Sequence, residues 1–129
     1  MNYKTYKVRV YDDGTKEWYL NGKRHREDDG PAYEWADGSK EWFLNGKPHR
    51  EDGPAIEGAD GTKAWFLNGK LHREDGPAYE RADGSKEWWL NGEELTKVEW
   101  KRRTSPTIKE MTVDEISKKL GFEVKVVKG

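Results

Sequence analysis

Three histidines keep the same company. His25, His49 and His72 each open the run His-Arg-Glu-Asp, so a base sits beside a cation and two carboxylates three times over. General acid–base chemistry or a metal centre is assembled from such groups, provided they converge. The spacing argues against convergence. The histidines are 24 and 23 residues apart, and if each belongs to an equivalent hairpin of one sheet, successive copies lie two strands, or about 10 Å, from one another. They cannot share one metal. Within a copy, neighbouring strand residues point to opposite faces, so the run does not make a site by itself either. The expected role is structural, with histidine stacked on tryptophan and arginine paired with glutamate. No Gly-rich phosphate loop, nucleophile elbow or catalytic dyad occurs elsewhere. The chain reads as non-enzymatic, with no metal and no cofactor.

The element that carries these residues is a repeat. Asp13-Gly14, Asp37-Gly38, Asp60-Gly61 and Asp83-Gly84 recur at spacings of 24, 23 and 23, each followed by a tryptophan: Trp18, Trp42, Trp65 and Trp88. Three residues beyond each tryptophan stands Asn-Gly: Asn21-Gly22, Asn45-Gly46, Asn68-Gly69 and Asn91-Gly92. A period in this range marks a repeat architecture, whose units are too small to hold a core and bury their apolar faces on one another. The repeats fall near residues 8–31, 32–54, 55–77 and 78–96, so residues 1–96 form the array.

Asp-Gly and Asn-Gly are the strongest two-residue hairpin signals, because a type I′ turn needs positive φ at both central positions. Centring turns on both dipeptides places Tyr33 opposite Trp42 and Glu34 opposite Glu41. It also places Trp42 opposite His49, Glu41 opposite Arg50 and Phe43 beside Pro48. One face is then a row of Tyr33, Trp42 and His49, preceded by Arg9, Trp18 and His25, repeated as Ile56, Trp65 and His72, and followed by Tyr79, Trp88 and Leu95. The fold expected is mainly β: an antiparallel hairpin meander of four repeats with a small helix-strand cap at its C-terminus. Gly53-Pro54 and its equivalents mark bends or bulges, since proline cannot donate to a ladder.

Composition fits a thin core. Of 129 residues, 33% are hydrophobic and 38% charged, while 24 Lys and Arg nearly cancel 25 Asp and Glu. No whole-chain field gathers nucleic acid or an anionic membrane. Seven tryptophans and six tyrosines with near-zero net charge oppose the signature of disorder. The absence of cysteine suits a reducing compartment. No apolar N-terminal core or membrane-length stretch is present, and the expected location is the cytoplasm.

The stretch Asp-Gly-Ser-Lys-Glu-Trp-Phe-Leu-Asn-Gly-Lys-Pro-His-Arg-Glu-Asp-Gly-Pro-Ala at residues 37–55 resembles a MORN repeat. The variant it is similar to occurs in short bacterial and phage proteins, some labelled YwqK-type antitoxins. The resemblance spans residues 8–96. It departs in replacing the usual Gly-x-Gly after histidine by Arg-Glu-Asp-Gly-Pro, and in carrying tryptophan where tyrosine is common. It implies stacked hairpins that act as a protein-binding or membrane-proximal scaffold, here in a phage or bacterial modulator that inhibits a host defence or toxin protein.

Residues 97–111 read as a basic linker, in which Trp100, Lys101, Arg102 and Arg103 form a candidate nucleic-acid contact by stacking and charge. Residues 112–129 read as the cap. Thr112-x-x-Glu115 is a capping box, Val113, Ile116 and Leu120 share a stripe, Gly121 ends the helix, and Phe122 to Val127 alternates into a strand.

Positions that change between copies give each repeat its own surface. They are Trp35, Gly58 and Arg81; Tyr19, Phe43, Phe66 and Trp89; and Arg24, Pro48, Leu71 and Glu94. Of these, Tyr19, Arg24, Trp35, Phe43, Pro48, Phe66, Leu71, Arg81 and Trp89 form the candidate protein-binding strip, because aromatics and arginine are what interface anchors are made of. An open edge near Val8 to Tyr11 adds a homodimer to the expected partners.

Overall fold

The computed structural model describes residues 4–105 and 113–114. The Asn-Gly turns form as expected: Asn21, Asn45, Asn68 and Asn91 have φ of 53, 52, 49 and 49°, and the glycine after each is also positive. This is the type I′ turn, and it sets Phe43 opposite Pro48 and Leu44 opposite Lys47.

The Asp-Gly turns have another geometry. Only their glycines reach positive φ, 96° at Gly38. Gly38 N–H donates to the Trp35 carbonyl at 3.0 Å, and Trp35 N–H donates to Ser39 at 2.8 Å. The loop is therefore three residues, a type I turn closed by a bulge glycine. Asp37 Oδ1 accepts the Ser39 N–H at 2.8 Å, and Asp13, Asp60 and Asp83 hold Thr15, Thr62 and Ser85 in the same way.

That extra loop residue slips the register by one and flips the faces. Tyr33 lies opposite Glu41, not Trp42, and Arg9 lies opposite Glu17, not Trp18. The expected row loses Tyr33, which lies on the other face, while Trp42 still lies opposite His49 and Trp88 opposite Leu95. The awkward Glu34–Glu41 pair also vanishes. In its place Lys16, Glu34, Lys40, Glu57, Lys63, Glu80 and Lys86 alternate in sign across the sheet, each opposite pair adding about 0.2–1 kcal/mol.

The chain runs through β1 (Tyr6–Val10), β2 (Lys16–Leu20), β3 (Lys23–Arg24), β4 (Tyr33–Glu34), β5 (Lys40–Glu41), β6 (Phe43–Leu44) and β7 (Lys47–Pro48). It continues through β8 (Ile56–Glu57), β9 (Lys63–Ala64), β10 (Phe66–Leu67), β11 (Lys70–Leu71), β12 (Tyr79–Glu80), β13 (Lys86–Leu90), β14 (Glu93–Leu95) and α1 (Lys97–Thr104). The main antiparallel sheet has the order β1-β2-β4-β5-β8-β9-β12-β13-β14, with β3 on β2; β6–β7 and β10–β11 are separate pairs. Each of the four repeated tryptophans, Trp18, Trp42, Trp65 and Trp88, is where a strand changes partner. Trp42 N–H donates to Ala55 of the next repeat at 2.7 Å, while its carbonyl accepts from His49 of its own Asn-Gly hairpin at 3.0 Å. Glu41 accordingly pairs with Tyr33 and Ile56, and the expected Glu41–Arg50 pair does not form.

The core is as thin as the composition requires. Ala32, Ala55 and Ala78 have no exposed surface; each follows a Gly-Pro bend, where its carbonyl receives a tryptophan N–H at 2.7–2.8 Å. Lys97–Thr104, read from sequence as linker, is a helix whose N-cap Thr96 accepts the Glu99 N–H at 3.2 Å. Of the expected cap at 112–129, Val113 and Asp114 are described, both helical; the rest lies outside the described residues. No described helix is long and apolar enough to cross a membrane.

Candidate functional site

The His-Arg-Glu-Asp runs make internal contacts. Nδ1 of His25, His49 and His72 accepts the backbone N–H of Asn45, Asn68 and Asn91 at 2.8, 2.9 and 2.9 Å. Each histidine thus holds the Asn-Gly turn of the following repeat. The other ring nitrogen faces the glutamate two residues on, at 2.7 Å for His25–Glu27, 3.7 Å for His49–Glu51 and 3.5 Å for His72–Glu74.

Arginine, not histidine, stacks on tryptophan. The guanidinium carbons of Arg26, Arg50 and Arg73 lie 3.9, 3.8 and 3.8 Å from the ring centres of Trp18, Trp42 and Trp65, contacts worth roughly 0.5–2 kcal/mol each. The same guanidinium groups bond the aspartate two residues on and the carbonyl of Pro31, Pro54 or Pro77. The expected arginine–glutamate pairing occurs with a different partner, Glu57 for Arg50 at 3.1 Å and Glu80 for Arg73 at 3.7 Å. The Trp42 and Trp65 rings line two equivalent grooves of 290 and 550 Å³, rimmed by Glu51, Asp52 and Asp75. Among the described residues no three metal-ligating side chains converge.

The variable positions lie on the opposite face. Tyr19 is paired with Arg24, Phe43 with Pro48, Phe66 with Leu71 and Trp89 with Glu94. The slipped register adds Tyr33, Ile56 and Tyr79 to that face, and with them Trp35 and Arg81. Trp35 stacks on Tyr33 with ring centres 4.2 Å apart; Arg24 lies over Tyr33 and Phe43, at 4.4 and 5.6 Å; Arg81 lies 5.0 Å from the Tyr79 ring. Sequence reasoning missed the tyrosines because the register flipped them.

A row of carboxylates ties down the polar ends of these rings. Glu17 accepts from the Tyr19 hydroxyl at 2.9 Å, Glu41 from the Trp35 indole at 2.9 Å, and Glu87 from the Trp89 indole at 3.0 Å and from Arg81. Burial pushes the Glu17 carboxyl up, but hydrogen bonds from Tyr19, Tyr33 and Tyr11 and the charge of Arg24 outweigh it and hold the group below the usual carboxylate range. The third repeat has Ala64 in this row, paired with Ile56 and Tyr79. With Gly58 where the neighbouring repeats carry Trp35 and Arg81, the middle of the strip is apolar and low.

Trp100, Lys101, Arg102 and Arg103 sit in α1. The Trp100 ring packs 6.5 Å from Trp88 and its indole donates to the Arg73 carbonyl at 2.8 Å. Arg102 and Arg103 bond Glu99, and Arg103 also reaches Glu93 at 3.2 Å; Lys101 is exposed. The helix thus sets its tryptophan against the last repeat. No protein-family model matches the chain, and no curated protein or solved structure matches it.

Proposed function

We propose that the chain is a non-enzymatic, protein-binding repeat scaffold whose partner docks on the strip of Tyr19, Arg24, Trp35, Phe43, Pro48, Phe66, Leu71, Arg81 and Trp89. One observation carries this reading. The His-Arg-Glu-Asp runs of the first three repeats are consumed in holding repeats together, whereas the positions that differ between repeats gather on one face, with aromatics and arginines among them. Braced aromatic side chains lose little freedom on binding, which is why they make anchors. The apolar centre at Ile56, Ala64 and Phe66 between polar flanks has the layout of an interface core and rim. The MORN-like motif supports the same class, and with it a cytoplasmic phage or bacterial modulator that inhibits a host defence or toxin protein. The nucleic-acid alternative gains no support from α1, whose Trp100 ring is turned inward, and no observation favours the membrane alternative.

The test is capture of a partner from bacterial lysate by the tagged chain, compared with Phe43→Ala/Phe66→Ala. Both rings being anchors, the double variant loses at least about 2 kcal/mol, some thirtyfold, of affinity, while its melting curve verifies the fold. Equal capture by both proteins sinks the strip as the interface.

A further inference from the structure

The array ends in a long open edge. Among the described residues β1 has one ladder partner, β2, to which it is paired over five residues from Tyr6–Leu20 to Val10–Lys16. Tyr11 N–H donates to the Thr15 carbonyl at 2.9 Å, so Tyr11, and by alternation Arg9 and Lys7, turn their backbone groups towards β2. Tyr6, Val8 and Val10 turn theirs outward. Val8 is 41% and Val10 66% exposed.

The charges on this edge decide what fits it. Lys7 and Arg9 are exposed, and neither makes an ion pair among the described residues; Glu17, opposite Arg9, is engaged by tyrosine. An added strand hydrogen-bonds at Tyr6, Val8 and Val10, which makes the positions opposite Lys7 and Arg9 the close, non-hydrogen-bonded pairs. If the added strand were a second copy of β1 with Val8 on the two-fold axis, Lys7 would face Arg9 of the other copy twice, at about 4.5 Å between Cα atoms. Like charges so placed repel, and cations on an edge are a known guard against self-pairing. A strand with carboxylates at those two positions meets attraction instead.

We propose that β1 is a docking edge for an extended, acidic segment of another protein, with alternating carboxylate and apolar residues, which adds to the sheet as one more strand. The carboxylates pair with Lys7 and Arg9 beside Tyr19, over which Arg9 already lies at 5.4 Å. The apolar residues continue the row of Tyr6, Val8 and Val10. The edge does not depend on the aromatic strip and is tested apart from it.

The probe is the peptide acetyl-Thr-Val-Glu-Val-Glu-Val-Thr-amide, added to the full chain while amide exchange is followed by NMR. Exchange at Tyr6, Val8 and Val10 is expected to slow by about tenfold or more at saturation. The analogue with lysine for both glutamates leaves it unchanged, and Lys7→Glu/Arg9→Glu reverses the preference. Val8→Pro removes an outward N–H and abolishes the response, while protected Lys7 and Arg9 amides show that β1 still pairs with β2. In Phe43→Ala/Phe66→Ala the response persists. No slowing at saturating peptide, equal response to both peptides, or protection at Tyr6, Val8 and Val10 before any peptide is added, whether from a second copy or from residues 122–127, overturns the proposal.

Discussion

The histidine of each repeat acts on the next repeat. Nδ1 accepts a turn N–H, so the ring proton stands on Nε2 towards the glutamate. His25 is the most enclosed, 4% exposed, with the Tyr6 ring stacked 6.2 Å from it. Replacing it by leucine keeps bulk but leaves the Asn45 N–H without its acceptor, at a cost of about 1–3 kcal/mol. His25→Asn puts an amide oxygen one bond beyond Cγ, where Nδ1 stood, and is expected to lose less than half as much by urea denaturation. Equal losses would show that the ring's packing, not its acceptor, matters. The chain carries its own control at Leu95, which occupies the histidine position of the fourth repeat. No fifth Asn-Gly turn follows it, so no acceptor is needed.

At the scale of elements, the two hairpin signals were equally legible as turns and unequally legible as geometry. Asn-Gly supplies two residues that tolerate positive φ, and its register follows. Asp-Gly is compatible with type I′ and also with a type I turn whose aspartate accepts a following N–H. In the three-residue loop that aspartate holds the N–H two residues on, and the single extra residue of loop moves Tyr33 across the sheet. The pairs of Tyr19 with Arg24, Phe43 with Pro48, Phe66 with Leu71 and Trp89 with Glu94 are unaffected by the slip because they belong to the Asn-Gly hairpins, whereas Trp35 and Arg81 reach their face through it. The sequence of α1 is dominated by basic residues, although Thr96-x-x-Glu99 is as good a capping box as Thr112-x-x-Glu115.

The aspartates give these turns a pH dependence. The N–H of Thr15 and of Thr62, and the hydroxyl and N–H of Ser85, hold the Asp13, Asp60 and Asp83 carboxyls below the usual range. A carboxyl depressed in the folded state adds stability that is present above its unfolded value, about 3.9, and is lost as pH falls through the folded value. Urea midpoints should therefore drop as pH is lowered from about 5 towards 2. Asn in place of all three keeps the turn acceptor without its charge, so the slope should be shallower. An unchanged slope would assign the acid sensitivity to other carboxylates, such as Glu17.

For the molecule as a whole, what matters is that every bond between repeats joins nearest neighbours. His49 holds Asn68, Arg50 N–H meets the Phe66 carbonyl, and Gly69 N–H meets Pro48; the next junction repeats the set with His72, Arg73 and Gly92. Deleting residues 55–77 removes one complete period and brings His49 to Asn91, Arg50 to Trp89 and Gly92 to Pro48, all contacts of an existing kind. The shortened chain is expected to fold cooperatively, less stable by one unit and one junction, with Trp100 now donating to the Arg50 carbonyl. Circular dichroism and a single melting transition measure this, and a chain left unfolded would mean that longer-range contacts hold the array. The deletion also separates the two binding surfaces. It removes Phe66, Leu71 and the apolar window around Ala64 but leaves β1 and its cations untouched. Capture through the strip should collapse while the acidic peptide still slows exchange at Tyr6, Val8 and Val10.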